Sequence, residues 1–455
     1  MIELKKSLLW IVVLLLSIAM VAVFSLVGCK AKAAAEEEAA PAVEEAAAEE
    51  EAAPAVEEEV RPYEGQTITF LFYSWEPYSP EVLQRFTDLT GIIVEPETLG
   101  WDELNTKIVA SSAAGVIPAD VFTQYEGNIV ALAGTGYLEP LDEYLSDELL
   151  EDIIGVGSYK HNGKLMGIPL GGNVYIGIVN TAKLSEAGYD EPPKTTDELV
   201  EMCLKIKELG IDEYPLSIPF IADTSVSKCW YLYNFALGGE LFDENYQPLF
   251  VSEAGRKALE LLVNNLGVII DPAMIDTGSV DIQDIFLSGR GVFLLGGYSS
   301  LLKFTDPKIN EIADDLGAML IPGSEENRSG TVYISDGLCM SSLGENKEAA
   351  GEFIKYCLSD ETLTAQFTNT GTLPPKKSLL STLEEQGLLR FGDYASEQAE
   401  YVKLMYPGGI PLWDAEWQEE AGAIINSAGR GVYTIEEALQ KMADLAVELQ
   451  KKQEE

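Results

Sequence analysis

The chain has 455 residues, of which 47% are hydrophobic, so it is long enough to bury more than one compact core. Its formal net charge is −45 at pH 7. A surface this acidic repels phosphate backbones and anionic lipid headgroups, which argues against nucleic acid as a partner.

The amino terminus has the pattern of a secretory signal peptide. Lys5 and Lys6 precede an apolar run from Leu8 to Val27, as a positive n-region precedes an h-region. We therefore predict that residues 1–28 are a signal peptide. A run of about 20 residues can also span a bilayer as a helix, so an uncleaved membrane anchor is the alternative.

The apolar run ends on "LVGC", with its cysteine at Cys29, and this stretch resembles the lipobox of bacterial lipoproteins. In such motifs small residues let the signal peptidase approach the chain. The cysteine sulfur is modified with a diacylglycerol group before the peptide bond ahead of it is cleaved. That chemistry needs a cysteine because a thiolate is the nucleophile. The resemblance implies that Cys29 is lipidated and becomes the new amino terminus. Its acyl chains would hold the protein on the outer side of the cell membrane, in the periplasm or at the outer face.

An acidic segment of low complexity follows the cysteine. The stretch "EEEAAPAVEE" occurs at 36–45 and again at 49–58, and residues 36–59 contain eleven Glu and no base. Such a composition cannot bury a core, and its like charges extend the chain. We predict that 29–64 is a spacer behind the lipid anchor; an acidic interaction tail is the alternative.

From Gly65 the sequence alternates between strand and helix patterns. The stretch "QTITFLFYSW" is typical of a strand, and "SPEVLQRFTDLTG" has the Ser-Pro start and terminal Gly of an amphipathic helix. "IIVEPETL", "WDELNTKIVASSAAG" and "ADVFTQY" continue the alternation. This order predicts right-handed crossovers in a mainly parallel α/β sheet. Ligands of such sheets bind at the carboxyl ends of strands, which points to Trp75, Glu76, Tyr125 and Glu126.

Histidine and cysteine give no sign of a common catalytic or metal site. His161 is the single histidine, and the following Asn162-Gly163 predicts a tight hairpin turn with His161 exposed. The sequence has neither a C-x-x-C pair nor a common zinc spacing, so we predict no metal and no cofactor. We expect the four later cysteines to be small buried apolar residues, with disulfides as the alternative. They are Cys203, Cys229, Cys339 and Cys357.

Several long stretches together resemble one family. "FTDLTGIIVEPETLGWDELNTKIVASSAAGVIPADVFTQYEGNIVALAGTGYLEPLDEYL" is similar to the first lobe of the family 1 extracellular solute-binding proteins. These are sugar-binding subunits of ABC importers and include the maltose-binding proteins. "NGKLMGIPLGGNVYIGIVNTAKLSEAGYDEPPKTTDELVEMCLKI" and "FLSGRGVFLLGGYSSLLKF" continue the likeness in the family's order. It extends over nearly all of 66–450, and no single stretch in it is a catalytic signature.

The resemblance implies a two-lobed periplasmic-binding-protein-like α/β fold with three interlobe crossovers and a central ligand cleft. The chain would cross between lobes near Asn173, Ser335-Asp336 and Lys377. Lobe 1 would comprise 65–173 and 336–378, and lobe 2 would comprise 174–335 and 379–455.

A sugar site needs flat aromatic side chains for the ring faces and planar polar groups for the hydroxyl edge. The resemblance places Tyr298 in a loop that often carries a stacking Trp, and Trp230 where a helix opens into the cleft. It places Trp413 and Asp414 in a late cleft loop. Trp417, four residues further on, is expected to pack in the core.

Other candidates lie at strand ends and crossovers. Asp336 begins a crossover loop, and Asn173 occupies a position where maltose-type proteins often carry a carboxylate, which argues against a maltodextrin ligand. Trp101 is expected to be structural, and Asp223 is a further candidate. The predicted ligand-binding set is Trp75, Glu76, Gln124, Tyr125, Glu126, Asn173, Trp230, Tyr298, Asp336, Trp413 and Asp414.

The predicted function is that of a lipid-anchored, monomeric receptor that closes around a carbohydrate and delivers it to the permease subunits of an ABC importer. Closure would be a population shift driven by contacts made only in the closed state. We expect no enzymatic activity. An anchored glycoside hydrolase, which needs two carboxyl groups about 5–10 Å apart, and a sugar-sensing receptor are the alternatives.

Overall fold

A computed structural model describes residues 61–74, 76, 78–297, 310 and 312–454, except for the side chain of Glu454. The predicted signal peptide, Cys29 and the spacer as far as residue 60 lie outside this part of the chain, as do Trp75 and Tyr298. The residues from Val60 onward form one compact unit.

Strands and helices alternate through most of the described residues. The strands are β1 (Thr67–Tyr73), β2 (Ile93–Leu99), β3 (Val121–Tyr125), β4 (Lys160–His161), β5 (Lys164–Leu165), β6 (Ile168–Asn180), β7 (Leu216–Ser217), β8 (Phe293–Gly297), β9 (Leu316–Met319) and β10 (Tyr333–Met340). The helices of the first half are α1 (Pro80–Thr90), α2 (Trp101–Ala114), α3 (Ile129–Gly134), α4 (Asp147–Asp152), α5 (Thr181–Glu186), α6 (Thr196–Glu208) and α7 (Thr224–Ala236).

Most of the remaining helices lie in the last third of the chain. They are α8 (Glu253–Val263), α9 (Ser279–Leu287), α10 (Lys347–Cys357), α11 (Asp360–Thr370), α12 (Lys377–Glu385), α13 (Gly392–Ala399), α14 (Asp414–Gly429) and α15 (Ile435–Glu454). Within the ranges that the structure describes, no helix is both long and apolar enough to cross a membrane.

The predicted strands and helices of the amino-terminal region are confirmed. The Ser79 hydroxyl caps α1 by accepting from the Val82 N–H, and Gly91 ends the helix at φ 75°, a conformation that suits glycine. β1 pairs in parallel with both β2 and β3. Parallel neighbours joined by helices follow from the right-handed crossover rule.

The prediction of a mainly parallel sheet is wrong beyond these strands. The order is β2-β1-β3-β10-β6-β8-β7, with β9 also on β6. β10 runs antiparallel to both β3 and β6, and β6 runs antiparallel to β8 and β9. These strands come from distant parts of the chain and are not linked by single helical crossovers, so the crossover rule does not fix their direction.

β6 joins the strands β2-β1-β3-β10 on one side of it to the strands β8-β7 on the other. Its residues Ile168–Val174 pair with β10, whereas Tyr175–Val179 pair with β8. The exchange of partners falls between Val174 and Tyr175, one residue beyond Asn173, near which the sequence predicts the first crossover. The lobe boundaries themselves stay a prediction.

The predicted hairpin and the predicted state of the cysteines are confirmed. β4 and β5 pair through Asn162 and Gly163, both of which have positive φ, as a tight hairpin turn requires. His161, however, lies on β4 and is half-buried instead of exposed in the turn. All four cysteines after Cys29 are buried and free of disulfides.

We expect Gly172→Ala to destabilise the fold, because a Cβ on this β6 residue would clash with the carbonyl oxygen of Ile334 on β10. Overpacking of this kind costs about 1–3 kcal/mol. Gly134→Ala is the matched control, since Gly134 ends α3 and a Cβ there meets open space. Thermal unfolding should show a lower Tm for the first variant and an unchanged or slightly higher Tm for the second. Equal Tm values would contradict the close strand approach.

Candidate ligand-binding site

Polar side chains gather where β1 and β3 end, beside β10. Asp336 of β10 lies opposite Tyr125 in the antiparallel register, and Gly337 lies opposite Gln124. Glu76 follows β1 and accepts a hydrogen bond from the Tyr73 N–H at 3.1 Å. The predicted residues Glu76, Gln124, Tyr125 and Asp336 are therefore brought to one edge of the sheet, as the strand pattern indicates.

A hydrogen-bond network holds Gln124 in place. Its Oε1 accepts from the Asn128 side chain at 2.9 Å and from the Tyr73 hydroxyl at 3.3 Å. Its Nε2 is buried and has no partner. Trp101 stacks on the Tyr73 ring at 5.0 Å between centroids and tilts toward Tyr125 at 5.8 Å. This packing fits the structural role predicted for Trp101.

Glu126 is the most deeply buried acid of the predicted set. It opens a short 3-10 helix after β3 and is 4% exposed, and its Oε2 has no hydrogen-bond partner. Burial raises the pKa of Glu126 to about 8, and the charges of Asp336 and Asp414 contribute to the rise. Burial also raises the pKa of Asp336 to about 6. The pKa of Glu76 is raised by burial and by the charge of Asp336.

Asp414 approaches this acidic group from the start of α14. It accepts from the Tyr406 hydroxyl at 2.7 Å and from the Gln418 amide at 2.8 and 3.0 Å, and burial raises its pKa. Its charge raises the pKa of both Tyr125 and Tyr231, although burial is the main cause of each shift. Asp414 therefore interacts with residues that precede it by hundreds of positions in the chain.

Tyr125, Tyr175 and Tyr231 contribute aromatic rings to the site. Burial chiefly raises the pKa of Tyr231, with smaller contributions from Tyr175, Asp414 and Tyr125, so these four residues interact. The Tyr231 side chain is 0% exposed and its hydroxyl has no partner. Tyr175 accepts a hydrogen bond from Lys228 Nζ at 3.1 Å, and the same ammonium lies 5.2 Å from the ring centre. The site thus combines carboxyl groups with aromatic rings.

Two predicted tryptophans are placed differently from expectation. Trp230 is 0% exposed, donates from Nε1 to the Gly255 carbonyl at 3.1 Å, and packs edge-on against Phe250. The structure places Trp230 in the core and not at the cleft opening expected for it, because both its ring and its N–H are used inside the core. Trp413 is 6% exposed and packs against Phe242 and Tyr406, so it positions Asp414 more than it offers a free face.

The other candidates have structural surroundings. Asn173 is half-buried beside Gly297 at the point where β6 changes partners. Asp223 caps α7 by accepting from the Ser225 N–H at 2.6 Å, which is a local structural role. Trp417 is buried and donates to the Met442 carbonyl, in agreement with the packing role predicted for it.

Sequence reasoning missed several residues of this site. Tyr73 lies within β1, Tyr175 lies two positions after Asn173 on β6, and Tyr231 lies in an aromatic run of α7. The period-two alternation of a strand places Tyr175 on the same face as Asn173, and this signal could have identified it. Tyr231 had no such signal, because its helical spacing also fits a core residue.

The described residues include no group of three or more His, Cys, Asp or Glu that could hold a metal ion. The four acids of the site are Glu76, Glu126, Asp336 and Asp414. The charge of Asp336 contributes to the raised pKa values of Glu76 and Glu126, and that of Asp414 to the raised pKa of Glu126, but the four acids are not arranged as a metal site.

We expect the raised pKa of Glu126 to make the unliganded fold less stable as pH rises. A carboxyl group with a raised folded pKa stabilises the fold fully below its unfolded pKa of about 4.3, and this contribution is lost as pH rises through about 8. Glu126→Gln should therefore raise the Tm by about 2 °C or more near pH 8 and change it little near pH 5.

Glu419→Gln, which changes an exposed acid on α14, is the control for this effect. It should leave the difference in Tm between the two pH values as it is in the unmodified chain. If Glu126→Gln leaves that difference unchanged as well, the burial of an uncompensated Glu126 is contradicted.

Comparison with known proteins gives the family. The sequence profile described as "Bacterial extracellular solute-binding protein" matches residues 81–386, which is more than half of the chain. A Sinorhizobium fredii protein described as a "probable amino-acid ABC transporter periplasmic-binding protein" is 26% identical over 324 residues, covering 66% of this chain and 70% of that protein. The maltotriose-binding protein of Pyrococcus abyssi is 25% identical, covering 68% of this chain and 67% of its own length.

Solved structures show the same fold. The sugar-binding protein MalE of Xanthomonas citri matches with a TM-score of 0.73 at 19% identity, over 86% of this chain and 98% of that one. The cyclic α-maltosyl-1,6-maltose binding protein of Arthrobacter globiformis matches with a TM-score of 0.69 at 18% identity, over 84% and 97% of the two chains. The predicted two-lobed α/β binding-protein fold is confirmed. The chain belongs to the family of bacterial extracellular solute-binding proteins, and its role is to bind a solute outside the cytoplasm.

Proposed function

We propose that the chain is a carbohydrate receptor that captures its ligand in the cleft between two lobes and delivers it to the permease subunits of an ABC importer. The observation that carries this proposal is a set of buried polar atoms without partners. They belong to Gln124, Glu126, Tyr231 and Tyr333. Their mixture of amide, hydroxyl and carboxyl groups complements a polyhydroxylated ligand, which both donates and accepts hydrogen bonds.

The relatives support a sugar or a polyol as the ligand class. One relative is a maltotriose-binding protein, and another is a diacetylchitobiose binding protein of Streptomyces coelicolor. Two solved structures of the same fold contain D-mannitol and ribitol. The aromatic side chains around the acids fit such ligands, because rings cover the C–H faces while polar groups meet the hydroxyls.

The proposed lobes are 65–173 with 336–378, and 174–335 with 379–455. The exchange of β6 partners between Val174 and Tyr175 supports a first crossover near Asn173. Glu76, Tyr125, Glu126 and Asp336 then belong to lobe 1 or its border, and Tyr175, Tyr231 and Asp414 to lobe 2. Closing the lobes would bring these sets together, so ligand contacts to both would favour the closed state.

We further propose that the receptor is a monomer held at the membrane through Cys29. The signal-like segment 1–28 and the lipobox-like "LVGC" support the anchor. The acidic spacer that follows would keep the folded unit away from the bilayer, since like charges extend it and anionic headgroups repel it.

Binding without turnover is the expected behaviour. The purified full chain should gain thermal stability with one or more sugars or polyols, since a ligand that binds only the folded state raises Tm. Chromatography of the same mixtures should recover each sugar intact. Release of smaller sugars would contradict the receptor and favour an anchored glycoside hydrolase. Failure of every sugar and polyol to shift Tm would contradict the ligand class.

We expect Tyr125→Ala to weaken binding of the sugar found in that screen by about tenfold or more, because it removes an aromatic face beside Asp336 and Glu126. Tyr394→Ala is the control, since Tyr394 is an exposed aromatic residue on α13. Isothermal titration calorimetry should show a changed Kd for the first variant alone. If both variants bind the sugar with the affinity of the unmodified chain, a role of Tyr125 in ligand binding is contradicted.

A further inference from the structure

The acids of the candidate site have no basic partner among the described residues. The ion pairs of those residues do not include Glu76, Glu126, Asp336 or Asp414. Burial is the main cause of the raised pKa values of all four groups, and the charges that add to it, Asp336 on Glu76 and Asp336 with Asp414 on Glu126, are acidic. Buried carboxyl groups are normally compensated by a cation.

Among the described residues, Lys228 contacts Tyr175 at this site and forms no ion pair with a carboxyl group. Its Nζ donates to the Tyr175 hydroxyl at 3.1 Å and lies over the Tyr175 ring. Because the Lys228 ammonium is bound to Tyr175, it is not the ion-pair partner of Glu126 or Asp336. Glu126, on the 3-10 helix after β3, and Asp336, on β10, are thus acids without an ion-pair partner among the described residues, and the charge of Asp414 acts on Glu126.

Two observations indicate which kind of cation would compensate the buried carboxyl groups. The described acids include no group of three that could hold a metal ion, so a divalent cation does not fit their arrangement. The Tyr231 hydroxyl is fully buried, has no partner and interacts with Asp414, Tyr175 and Tyr125. Aromatic faces beside acids favour an organic ammonium, which gains both cation–π and charge-assisted contacts.

We propose that the ligand is a polyhydroxylated molecule that carries a protonated amine, an amino sugar or amino polyol, with its ammonium group held between Glu126, Asp336 and Asp414. This inference rests on the proposed carbohydrate receptor and narrows its ligand. The hydroxyls of the ligand would meet Gln124 and Tyr231. The ammonium would supply the positive charge that the described side chains do not bring to the acids.

Matched ligands that differ in one group test the charge directly. Calorimetry on the full chain at neutral pH would compare glucose with glucosamine, cellobiose with its diamino counterpart chitobiose, and glucitol with 1-amino-1-deoxyglucitol. In at least one pair the amine should bind about tenfold more tightly than the hydroxyl member. N-acetylated chitobiose keeps the nitrogen without the charge, so it should bind no more tightly than cellobiose.

The outcomes separate this inference from the receptor proposal. If the hydroxyl members bind and the amines bind equally or more weakly, the inference is overturned and the carbohydrate receptor stands. If no member of any pair binds while another sugar or polyol of the thermal screen does, the inference is overturned and the carbohydrate receptor stands; if none in the screen binds either, both are overturned. An amine preference that narrows as ionic strength rises supports a charge-based contact, because salt screens such contacts.

Variants test where the ammonium lies. Glu126→Gln and Asp336→Asn should each reduce the amine preference to about threefold or less. Glu419→Gln, on the exposed face of α14, should leave the preference unchanged. A cooperative thermal unfolding transition reports that each variant is folded. An amine preference that survives both substitutions overturns the assignment to these acids.

Discussion

Burial of carboxyl groups beside one another is the constraint on which the site depends. Glu126 is almost fully buried after β3, and the nearby Asp336 and Asp414 make its ionisation more costly. Such a group is either protonated or matched by a positive charge. Glu126 and Asp414 lie at the ends of β3 and α14, whereas Asp336 is held within β10 by pairing on both sides, and the hydrogen bond from Tyr406 fixes the position of Asp414.

Two antiparallel strands make this convergence possible. β10 lies between β3 and β6, so Asp336 is held opposite Tyr125 on one side and opposite Gly171 on the other. The small residues Gly171 and Gly172 let β10 and the Leu373 segment approach β6 closely. Because β6 continues past Tyr175 into pairing with β8, the strand that supports Asp336 also positions the Tyr175 ring.

The site joins residues that lie far apart in the chain. The charge of Asp414 acts on Tyr125 and on Glu126, and the proposed lobe boundaries assign Asp414 to the other lobe. A ligand that bridges them would stabilise the closed arrangement by the difference between its contacts in the two states. The same ligand would offset the desolvation of the buried acids, which links affinity to closure.

The sequence by itself determined the local elements and the family. The strand–helix alternation after Gly65 placed Glu76, Gln124, Tyr125 and Glu126 at strand ends, because period-two and helical patterns depend on neighbouring residues alone. Tertiary structure alone decided that Trp230 is core, that β10 runs antiparallel, and that the charge of Asp414 acts on Tyr231. These facts depend on which distant segments pack together, and a local pattern contains no information about that.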